Sequence, residues 1–415
     1  MTSAPLDLGD VPADEILDAL ELAPEGPSLA FLERLFHRFN ARVPFETASK
    51  IIRHADVPDP AEKPRVPEVF WRDFLESGTG GTCYPRVAAF DALVSRLGFA
   101  TRKALGRVEK DFDHAALVVS LPEREWIADI GFPLPALLPA GGGEVETETA
   151  TLSASESGRG LSVRFLSGVP GGPRRLEIFR EPVSEDEFLA LWRKTFHPDS
   201  KFLKNVSLYR RDAHRVLTFS RGEARVDDLH SRTRIPLAVD RARRLAEIFG
   251  IAEEVLGRAF SIAGDPDPEI GDARITAYLS VEIEPRRAFQ AIATAEGWRE
   301  LMSGVTDIVA LQRTGAGWRA RLAPPGVPDA GFEEEIALDS DRLALSIVRR
   351  YPDGAAASSG YRVESSEGET YLVREAILSG PREDLLKNDY ARGRLAGTLA
   401  VDLLAWARLT GLGPE

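Results

Sequence analysis

The sequence of 415 residues contains a single cysteine, Cys83, and only six histidines. One cysteine cannot form a disulfide within the chain, which is typical of proteins from a reducing cytoplasm. No two of the histidines have the His-x-x-x-His spacing of a helical zinc site. The sequence therefore predicts a cytoplasmic protein with no bound metal.

Long apolar runs and excess positive charge are also missing. No apolar stretch reaches the roughly 18 residues that a membrane-spanning helix needs. The first 15 residues are acidic and lack the basic and apolar regions of a signal peptide. The formal net charge is −13, whereas nucleic acids and anionic membranes attract basic surfaces. We therefore expect neither nucleic acid nor a membrane as a partner.

Length and composition predict two globular domains. A chain of 415 residues is long for one core, and its 43% hydrophobic and 28% charged residues are normal for a globular protein. A Gly-Asp-Pro-Asp-Pro stretch at residues 264–268 combines two prolines with no apolar period. We place the junction there, which predicts domains at residues 1–264 and 272–415.

The first predicted domain begins with helices and continues with strands, so its expected class is α+β. Apolar residues recur with helical spacing in three early segments, at residues 29–39, 67–76 and 83–97. From Arg102 the period changes to that of strands, with a hairpin expected around a turn at residues 121–124. Further elements are expected in four segments: strands at 161–165 and 174–179, and helices at 185–195 and 240–256.

The second predicted domain opens with a strand, because apolar and polar residues alternate from 275 to 283. Short helices are expected at 285–302, followed by a meander of strands over 307–379. A long helix from Pro381 closes the chain. This order predicts a curved antiparallel sheet around a long C-terminal helix.

Cys83 ends a Gly-Gly-Thr-Cys run at residues 80–83, directly before one of the predicted helices. A helix N-terminus favours negative charge, and a nearby histidine can pair with a thiolate, so both features suit a nucleophilic cysteine. The backbone N–H of Cys83 would be one oxyanion donor. The sequence does not identify the second donor.

His114 and Asp129 flank the predicted hairpin. A turn at residues 121–124 sets residue 114 opposite residue 130 or 131, so Asp129 lies within one or two positions of His114. A carboxylate there can orient the imidazole. Taken singly, each residue has a plainer interpretation: a buried thiol, a histidine at a strand end and an aspartate capping a turn. Together they predict a Cys83–His114–Asp129 site for acyl transfer.

Several segments resemble the arylamine N-acetyltransferases. Val-Pro-Phe-Glu-Thr at 43–47 is similar to the family's Val-Pro-Phe-Glu-Asn, and residues 79–87 are similar to its Arg-Gly-Gly-x-Cys-Phe-Glu-x-Asn. His-Ala-Ala-Leu-Val at 114–118 and Asp-Ile-Gly-Phe at 129–132 match the strands that carry the family's His and Asp. Phe-Leu-Lys-Asn at 202–205 resembles a later family segment. The resemblance covers about the first 260 residues.

The resemblance implies a helical bundle, a β-barrel and an α/β lid around a papain-like Cys-His-Asp core. It implies ping-pong transfer of an acyl group from acyl-CoA, with acetyl-CoA as a co-substrate and no permanent cofactor, through Cys83 to an amine acceptor. It also places the substrates near six further residues: Phe45, Gly80, Gly81, Tyr84, Gly131 and Phe132.

The chain departs from the family at Thr47, Thr79, Pro85 and Val87, where the family has polar residues that brace the site. Two alternatives therefore stay open. One is an amide synthase that releases an acyl or polyketide chain from a carrier protein. The other is a non-catalytic scaffold for the second domain.

The second domain resembles the START-like helix-grip proteins in its order of elements. That resemblance implies a cavity for an apolar ligand, such as a lipid or a polyketide.

Overall fold

The computed structural model describes residues 6–148, 150–166, 175–212, 214–228, 230–237, 240–264, 272–302, 306–327, 331–350, 356–366, 368–378 and 388–411. Its contacts divide the chain into two units. The first comprises Met1–Leu229 and Leu237–Glu269, and the second comprises His230–Pro236 and Ile270–Glu415. Residues 230–236 thus belong to the second unit, although the sequence prediction assigned them to the first. Most of the predicted junction, at 265–268, lies outside the described residues.

The first unit opens with helices: α1 (Ala13–Ala19), α2 (Leu29–Arg42), α3 (Ala48–Asp56), α4 (Pro67–Ser77) and α5 (Cys83–Arg96). The Ser28 hydroxyl accepts the Phe31 N–H at 3.2 Å and caps α2. Pro67 occupies the first turn of α4, and Gly78 ends that helix with a φ of 69°. The three helices predicted in this region are confirmed as α2, α4 and α5.

A curled antiparallel sheet follows the helices. Its strands are β2 (Ala100–Arg107), β3 (Asp111–Ser120), β4 (Glu125–Ala128), β5 (Leu138–Pro139), β6 (Gly143–Glu146), β7 (Thr151–Ser157), β8 (Gly160–Phe165) and β9 (Arg175–Phe179). They are ordered β5-β4-β3-β2-β9-β8-β7-β6. Only residues 140–142 separate the two edge strands β5 and β6, which limits the facing strand ends to about 14 Å apart, and the two strands are in contact. The sheet is therefore a nearly closed barrel.

The predicted hairpin is confirmed as β3 and β4. Ser120 pairs with Glu125, and the Leu121 N–H donates to the Arg124 carbonyl at 3.1 Å. The register continues to Leu117 opposite Ala128. Carried three residues further, this register sets residue 114 opposite residue 131, as the turn position predicts.

The remainder of the first unit mixes strands and helices. The elements are β1 (Phe45–Glu46), β10 (Ser207–Arg211), β11 (Val216–Ser220), β12 (Glu223–Asp227), α6 (Glu185–Lys194), a 3₁₀ turn (Lys201–Leu203), α7 (Arg241–Phe249) and α8 (Glu253–Ala263). The prediction of one helix over 240–256 is wrong, because Gly250 adopts a φ of +77° and ends α7. Helices and antiparallel sheets together confirm the α+β class.

The second unit contains an antiparallel sheet and three described helices. Its strands are β13 (Ser231–Pro236), β14 (Ala273–Val281), β15 (Asp307–Arg313), β16 (Gly317–Ala323), β17 (Phe332–Asp339), β18 (Ala344–Arg350), β19 (Ala356–Ser366) and β20 (Glu369–Leu378). Its helices are α9 (Pro285–Ile292), α10 (Ala295–Met302) and α11 (Asp389–Leu409). The strands are ordered β13-β14-β20-β19-β18-β17-β16-β15.

Helix α11 packs against β14 and β20 and buries Leu399, Leu403 and Trp406. These side chains join Trp298 and Trp318 in the core of the unit. Residues 381–387, where the sequence predicts that this helix begins, lie outside the described residues. No helix in the described ranges is both long enough and apolar enough to cross a membrane.

Candidate active site

Cys83 is the first residue of α5, and close backbone contacts fix its position. The Gly81 N–H donates to the Pro44 carbonyl at 3.3 Å, and the Glu46 N–H donates to the Gly81 carbonyl at 3.1 Å. A Cβ on Gly80 would lie 1.7 Å from the Pro44 oxygen, so this approach requires glycine. The segment at 43–47 thus holds the loop that presents Cys83.

His114 on β3 and Asp129, just after β4, form a buried pair. His114 Nε2 lies 2.8 Å from Asp129 Oδ2, and the two residues are 2% and 0% exposed. The second carboxylate oxygen, Oδ1, accepts the Phe132 N–H at 2.8 Å. Both oxygens of Asp129 are therefore engaged, which fixes the carboxylate and, through it, the ring.

The Cys83 side chain lies close enough to the imidazole of His114 to raise its pKa. Because Nε2 faces Asp129, the nitrogen left for the thiol is Nδ1. Cys83 is only 6% exposed, and its Sγ lies 3.7 Å from the Asp113 carbonyl oxygen. The structure thus brings together the three residues that the sequence singled out.

The charge of His114 depends on these two neighbours. Burial alone would lower its pKa, but the carboxylate of Asp129 and the Cys83 side chain more than offset burial and raise the pKa well above its ordinary value. The ring therefore favours the imidazolium form at neutral pH. An imidazolium beside a thiol is the pairing on which enzymes with a cysteine nucleophile depend.

Two glycines leave room for the pair and the thiol. A Cβ on Gly131 would lie 2.0 Å from the Ala115 oxygen and 3.1 Å from the Cβ of Cys83. A Cβ on Gly106 would lie 3.0 Å from His114 Cδ2. Gly131, which the resemblance places near the substrates, is thus required for close packing against Cys83.

The other residues expected near the substrates lie around the same loop. Gly81 forms a bridge with Phe45, whose half-buried ring lies 5.8 Å from that of Phe202. Phe132 is half-buried and donates its N–H to Asp129. Tyr84 is buried, and its hydroxyl donates to the Phe112 carbonyl at 2.7 Å, so the structure gives it a packing role.

Sequence reasoning missed Arg86, which is fully buried on α5. Its Nε donates to the Ile130 carbonyl at 2.7 Å, its Nη2 donates to Asn40 Oδ1 at 2.9 Å, and its Nη1 donates to the Val43 carbonyl. One guanidinium thereby joins α2, the 43–47 segment and the loop after β4 to the helix of Cys83. A signal was present, because Arg86 lies four residues before Phe90 on the apolar face of α5.

Arg65 is a second buried cation that the sequence did not reveal. Its Nη2 donates to the Gly80 carbonyl at 2.8 Å, and its Nε lies 3.1 Å from an oxygen of Asp73. Glu46, also fully buried, accepts the Ser49 N–H at 2.8 Å. Arg65 comes from a loop with no periodic pattern, so no sequence signal marked it. Arg65 and Arg86 brace the site in a chain that has Thr79 where the family has arginine.

A buried thiol, imidazole and carboxylate on three neighbouring elements are the arrangement of enzymes that use a cysteine nucleophile. Among the described residues, no group of three or more His, Cys, Asp or Glu could hold a metal ion. A model of the N-acetyltransferase family matches residues 28–254, more than half of the chain. The chain belongs to the arylamine N-acetyltransferase family.

Individual relatives agree with this membership. An arylamine N-acetyltransferase of Escherichia coli (strain K12) is 30% identical over 111 residues, which cover 24% of this chain and only 36% of that protein. The solved arylamine N-acetyltransferase of Mycobacterium abscessus is 22% identical with a TM-score of 0.53, covering 63% of this chain and 99% of its own.

Two further solved relatives give the same result. The Nocardia farcinica enzyme is 21% identical with a TM-score of 0.54, covering 62% of this chain and 98% of its own. The Mycobacterium marinum enzyme in complex with CoA is 18% identical with a TM-score of 0.53, covering 61% of this chain and 100% of its own. At these identities the solved structures show a shared fold for about three fifths of the chain.

Proposed function

We propose that the first unit is an acyltransferase that moves an acyl group from acyl-CoA, through a thioester on Cys83, to an amine. One observation carries this proposal: the buried His114–Asp129 pair at 2.8 Å, with the Cys83 side chain acting on the same ring. We propose that the three residues form a papain-like catalytic core set between helices and a barrel. Acetyl-CoA is the donor that the family implies, and it acts as a co-substrate.

In the first half-reaction, the Cys83 thiolate attacks the carbonyl carbon of the acyl-CoA thioester. The resulting oxyanion lies at the start of α5, where the Cys83 N–H is one donor. The intermediate collapses by breaking the bond to the CoA sulfur. CoA leaves with the proton of the His114 imidazolium as the free thiol, so His114 becomes neutral and Cys83 carries the acyl group.

In the second half-reaction, an amine attacks the acyl carbon and neutral His114 accepts the amine proton. The bond to Cys83 breaks, the amide leaves, and the thiolate–imidazolium pair is restored. Asp129 touches neither substrate in this scheme. It holds Nε2, which keeps Nδ1 directed at the thiol and stabilises the imidazolium.

The bracing by Arg65 and Arg86 favours this proposal over a non-catalytic scaffold. A scaffold that had lost catalysis would have no need to hold a buried histidine, aspartate and arginine around one thiol, since burying charge is costly. The carrier-protein alternative shares the same chemistry at Cys83 and differs only in the donor.

Intact-mass spectrometry tests the proposal. The protein is incubated with acetyl-, propionyl- or malonyl-CoA, or with an acyl carrier-protein thioester, in the absence of amine. We expect a stable mass gain of one acyl group that disappears in Cys83→Ala and forms far more slowly in His114→Ala. His197→Ala is the matched control, because His197 is exposed and is expected to leave the rate unchanged. An adduct from the carrier thioester alone would favour the amide synthase, and no adduct from any donor would favour the scaffold.

We also propose that the second unit is a helix-grip domain for an apolar ligand. Its antiparallel sheet and the apolar face of α11, with Leu399, Leu403 and Trp406, support this proposal. Titration of the full-length protein with a fluorescent fatty acid or an aromatic polyketide is expected to saturate. Titration curves without saturation for both probes would contradict ligand binding.

A further inference from the structure

Lys50 on α3 is a buried cation that the proposed mechanism does not use. The residue is 6% exposed, and its Nζ donates to Thr195 Oγ1 at 2.8 Å. The ammonium lies 4.8 Å from the ring centroid of Phe196 and 5.8 Å from that of Phe202. No carboxylate lies within ion-pair distance of Nζ in the part of the chain that the structure describes.

The neighbouring cations Arg53 and Arg65 are better satisfied. Lys50, Arg53 and Arg65 line one pocket together with Gly81 and Thr82, directly before Cys83. Arg53 donates to the carbonyls of residues 62 and 63, and Arg65 donates to the Gly80 carbonyl beside Asp73. Within the described residues, the Lys50 ammonium contacts a neutral hydroxyl and two aromatic rings, although an ammonium has three N–H donors.

The thiolate that the proposed mechanism places at Cys83 is the anion that acts on Lys50. Burial lowers the pKa of Lys50 to about 8, and the negative charge of Cys83 opposes this shift. Acylation converts the thiolate into a neutral thioester, which leaves the ammonium buried with no anion near it. Such a group is costly unless another anion replaces the thiolate.

We propose that Lys50 binds a carboxylate carried by a substrate, so that the site prefers acyl groups with a terminal carboxylate over acetyl. The inference rests on the proposed acyl transfer at Cys83. A carboxyacyl group brings its own anion as the thiolate is lost, which a neutral acyl group does not. The same carboxylate chemistry could instead arrive on the amine acceptor.

The donor arm of the test compares acylation rates of Cys83 by acetyl-, malonyl- and succinyl-CoA, measured by intact mass in a single turnover. We expect malonyl- or succinyl-CoA to react at least about tenfold faster than acetyl-CoA, as for a charge-assisted hydrogen bond. Lys50→Met and Lys50→Gln are expected to reduce that ratio about 10- to 100-fold, and Lys50→Arg to restore part of it. Lys63→Met, at another buried lysine that does not line the pocket, is the matched control and is expected to keep the ratio.

The acceptor arm starts from the acetylated enzyme and compares 4-aminobenzoate with aniline. If the carboxylate arrives with the amine, Lys50→Met slows transfer to 4-aminobenzoate selectively while the donor ratio stays constant. A selective effect in either arm supports the carboxylate site and identifies the carrier of the charge.

The outcomes separate this inference from the function on which it rests. If the wild-type protein is acylated but no Lys50 variant changes the donor and acceptor rate ratios, the carboxylate inference is overturned and the acyltransferase proposal stands. A wild-type protein that no donor acylates overturns the acyltransferase proposal itself. The wild-type donor and acceptor ratios need no substitution, so both arms retain a readout even if Lys50→Met fails to fold. If the variant does not fold, wild-type rate ratios near one, both for malonyl- or succinyl-CoA over acetyl-CoA and for 4-aminobenzoate over aniline, overturn the inference.

Discussion

Arg374 in the second unit and Arg86 in the first unit bury their charges in different ways. In the second unit, Arg374 lies 3.0 Å from Asp402, and Arg349 lies 2.7 Å from Glu334, so these arginines face carboxylates. In the first unit, the guanidinium of Arg86 is held by two carbonyls and an amide oxygen. The contrast separates cations that are neutralised by a paired carboxylate from cations held by uncharged acceptors.

Cations held by uncharged acceptors keep their charge available to a neighbour. Arg86 is anchored beside the loop of Cys83, and Lys50 lies where the charge of Cys83 acts on it. Both cations lie near the thiol, and the imidazolium of His114 is a third positive charge beside it. Perturbed charges of this kind concentrate at functional sites, where their cost is offset by the chemistry they support. The paired charges of the second unit indicate a structural role.

The largest expected effect is that of Asp129→Asn on acylation of Cys83. The amide keeps the shape of the side chain but cannot stabilise the imidazolium, so we expect the rate to fall about 10³- to 10⁴-fold. Stopped-flow measurement of the single-turnover acylation rate gives the value. Asp91→Asn is the matched control, because Asp91 is also buried but pairs with Lys103. If Asp129→Asn slowed acylation no more than Asp91→Asn does, the His114–Asp129 pair would have no special role in the acylation of Cys83.

Arg86→Met and Arg374→Met compare the two kinds of buried arginine directly. Arg86→Met leaves three buried acceptors without a donor, so we expect the first unit to lose about 3–5 kcal/mol of unfolding free energy. Arg374→Met is expected to cost the second unit about 1–2 kcal/mol, because Asp402 is 21% exposed and can be hydrated.

Hydrogen exchange measured by mass spectrometry separates the unfolding of the two units. Equal losses for the two arginine substitutions would show that the type of acceptor does not set the cost of removing a buried arginine.

The His114–Asp129 pair predicts a pH dependence of stability in the first unit. The folded-state pKa of His114 is raised from 6.5 to about 10, so the stabilisation is fully present below pH 6.5 and is lost as the pH rises through about 10. We expect the free energy of unfolding of the wild type to exceed that of His114→Asn by about 2–3 kcal/mol at pH 6. This difference is expected to shrink above pH 9. Urea unfolding of both proteins from pH 6 to pH 11 measures it. A difference that grows with pH would reverse the assigned sign.

The smallest expected effect is that of Tyr361→Phe in the second unit. The Tyr361 hydroxyl donates to Asp402 Oδ2 at 3.3 Å, and burial raises the pKa of Tyr361, which keeps the hydroxyl a donor. Arg374 remains on the same carboxylate oxygen. We therefore expect a loss of about 1 kcal/mol in the second unit and no change in acylation of Cys83. Slower acylation in this variant would show that the two units do not act separately.

Elements with a regular local period could be predicted from the sequence. The hairpin of β3 and β4 follows from two short apolar runs on either side of a turn at 121–124. In the meander at 307–378, strands such as β16 follow from the alternation of apolar and polar residues. Strands β10, β11 and β12 were missed because each is only five residues long, although apolar and polar residues alternate in β11 and β12. The helix break at Gly250 was missed because apolar residues continue on both sides of it.

Long-range pairing limits what local patterns can predict. Residues 230–236 lie in the sequence among the last elements of the first unit, yet they form β13 and pair with β14 of the second. A strand's partner is set by which edge is open in the folded chain, and a local pattern carries no information about that edge. The predicted domains therefore differ from the observed units at this strand.

Sequence by itself determined the three residues of the candidate site. Cys83 lies where glycines precede a helix, and His114 and Asp129 lie at positions that one short hairpin brings opposite each other, so local rules were sufficient. Only the tertiary structure decided which cations surround them. Arg86 reaches Asn40 across 46 positions of the chain, and Lys50 reaches Thr195 across 145. Periodicity shows which face of an element is buried, whereas the charge that a buried group keeps depends on which distant acceptors the fold packs against it.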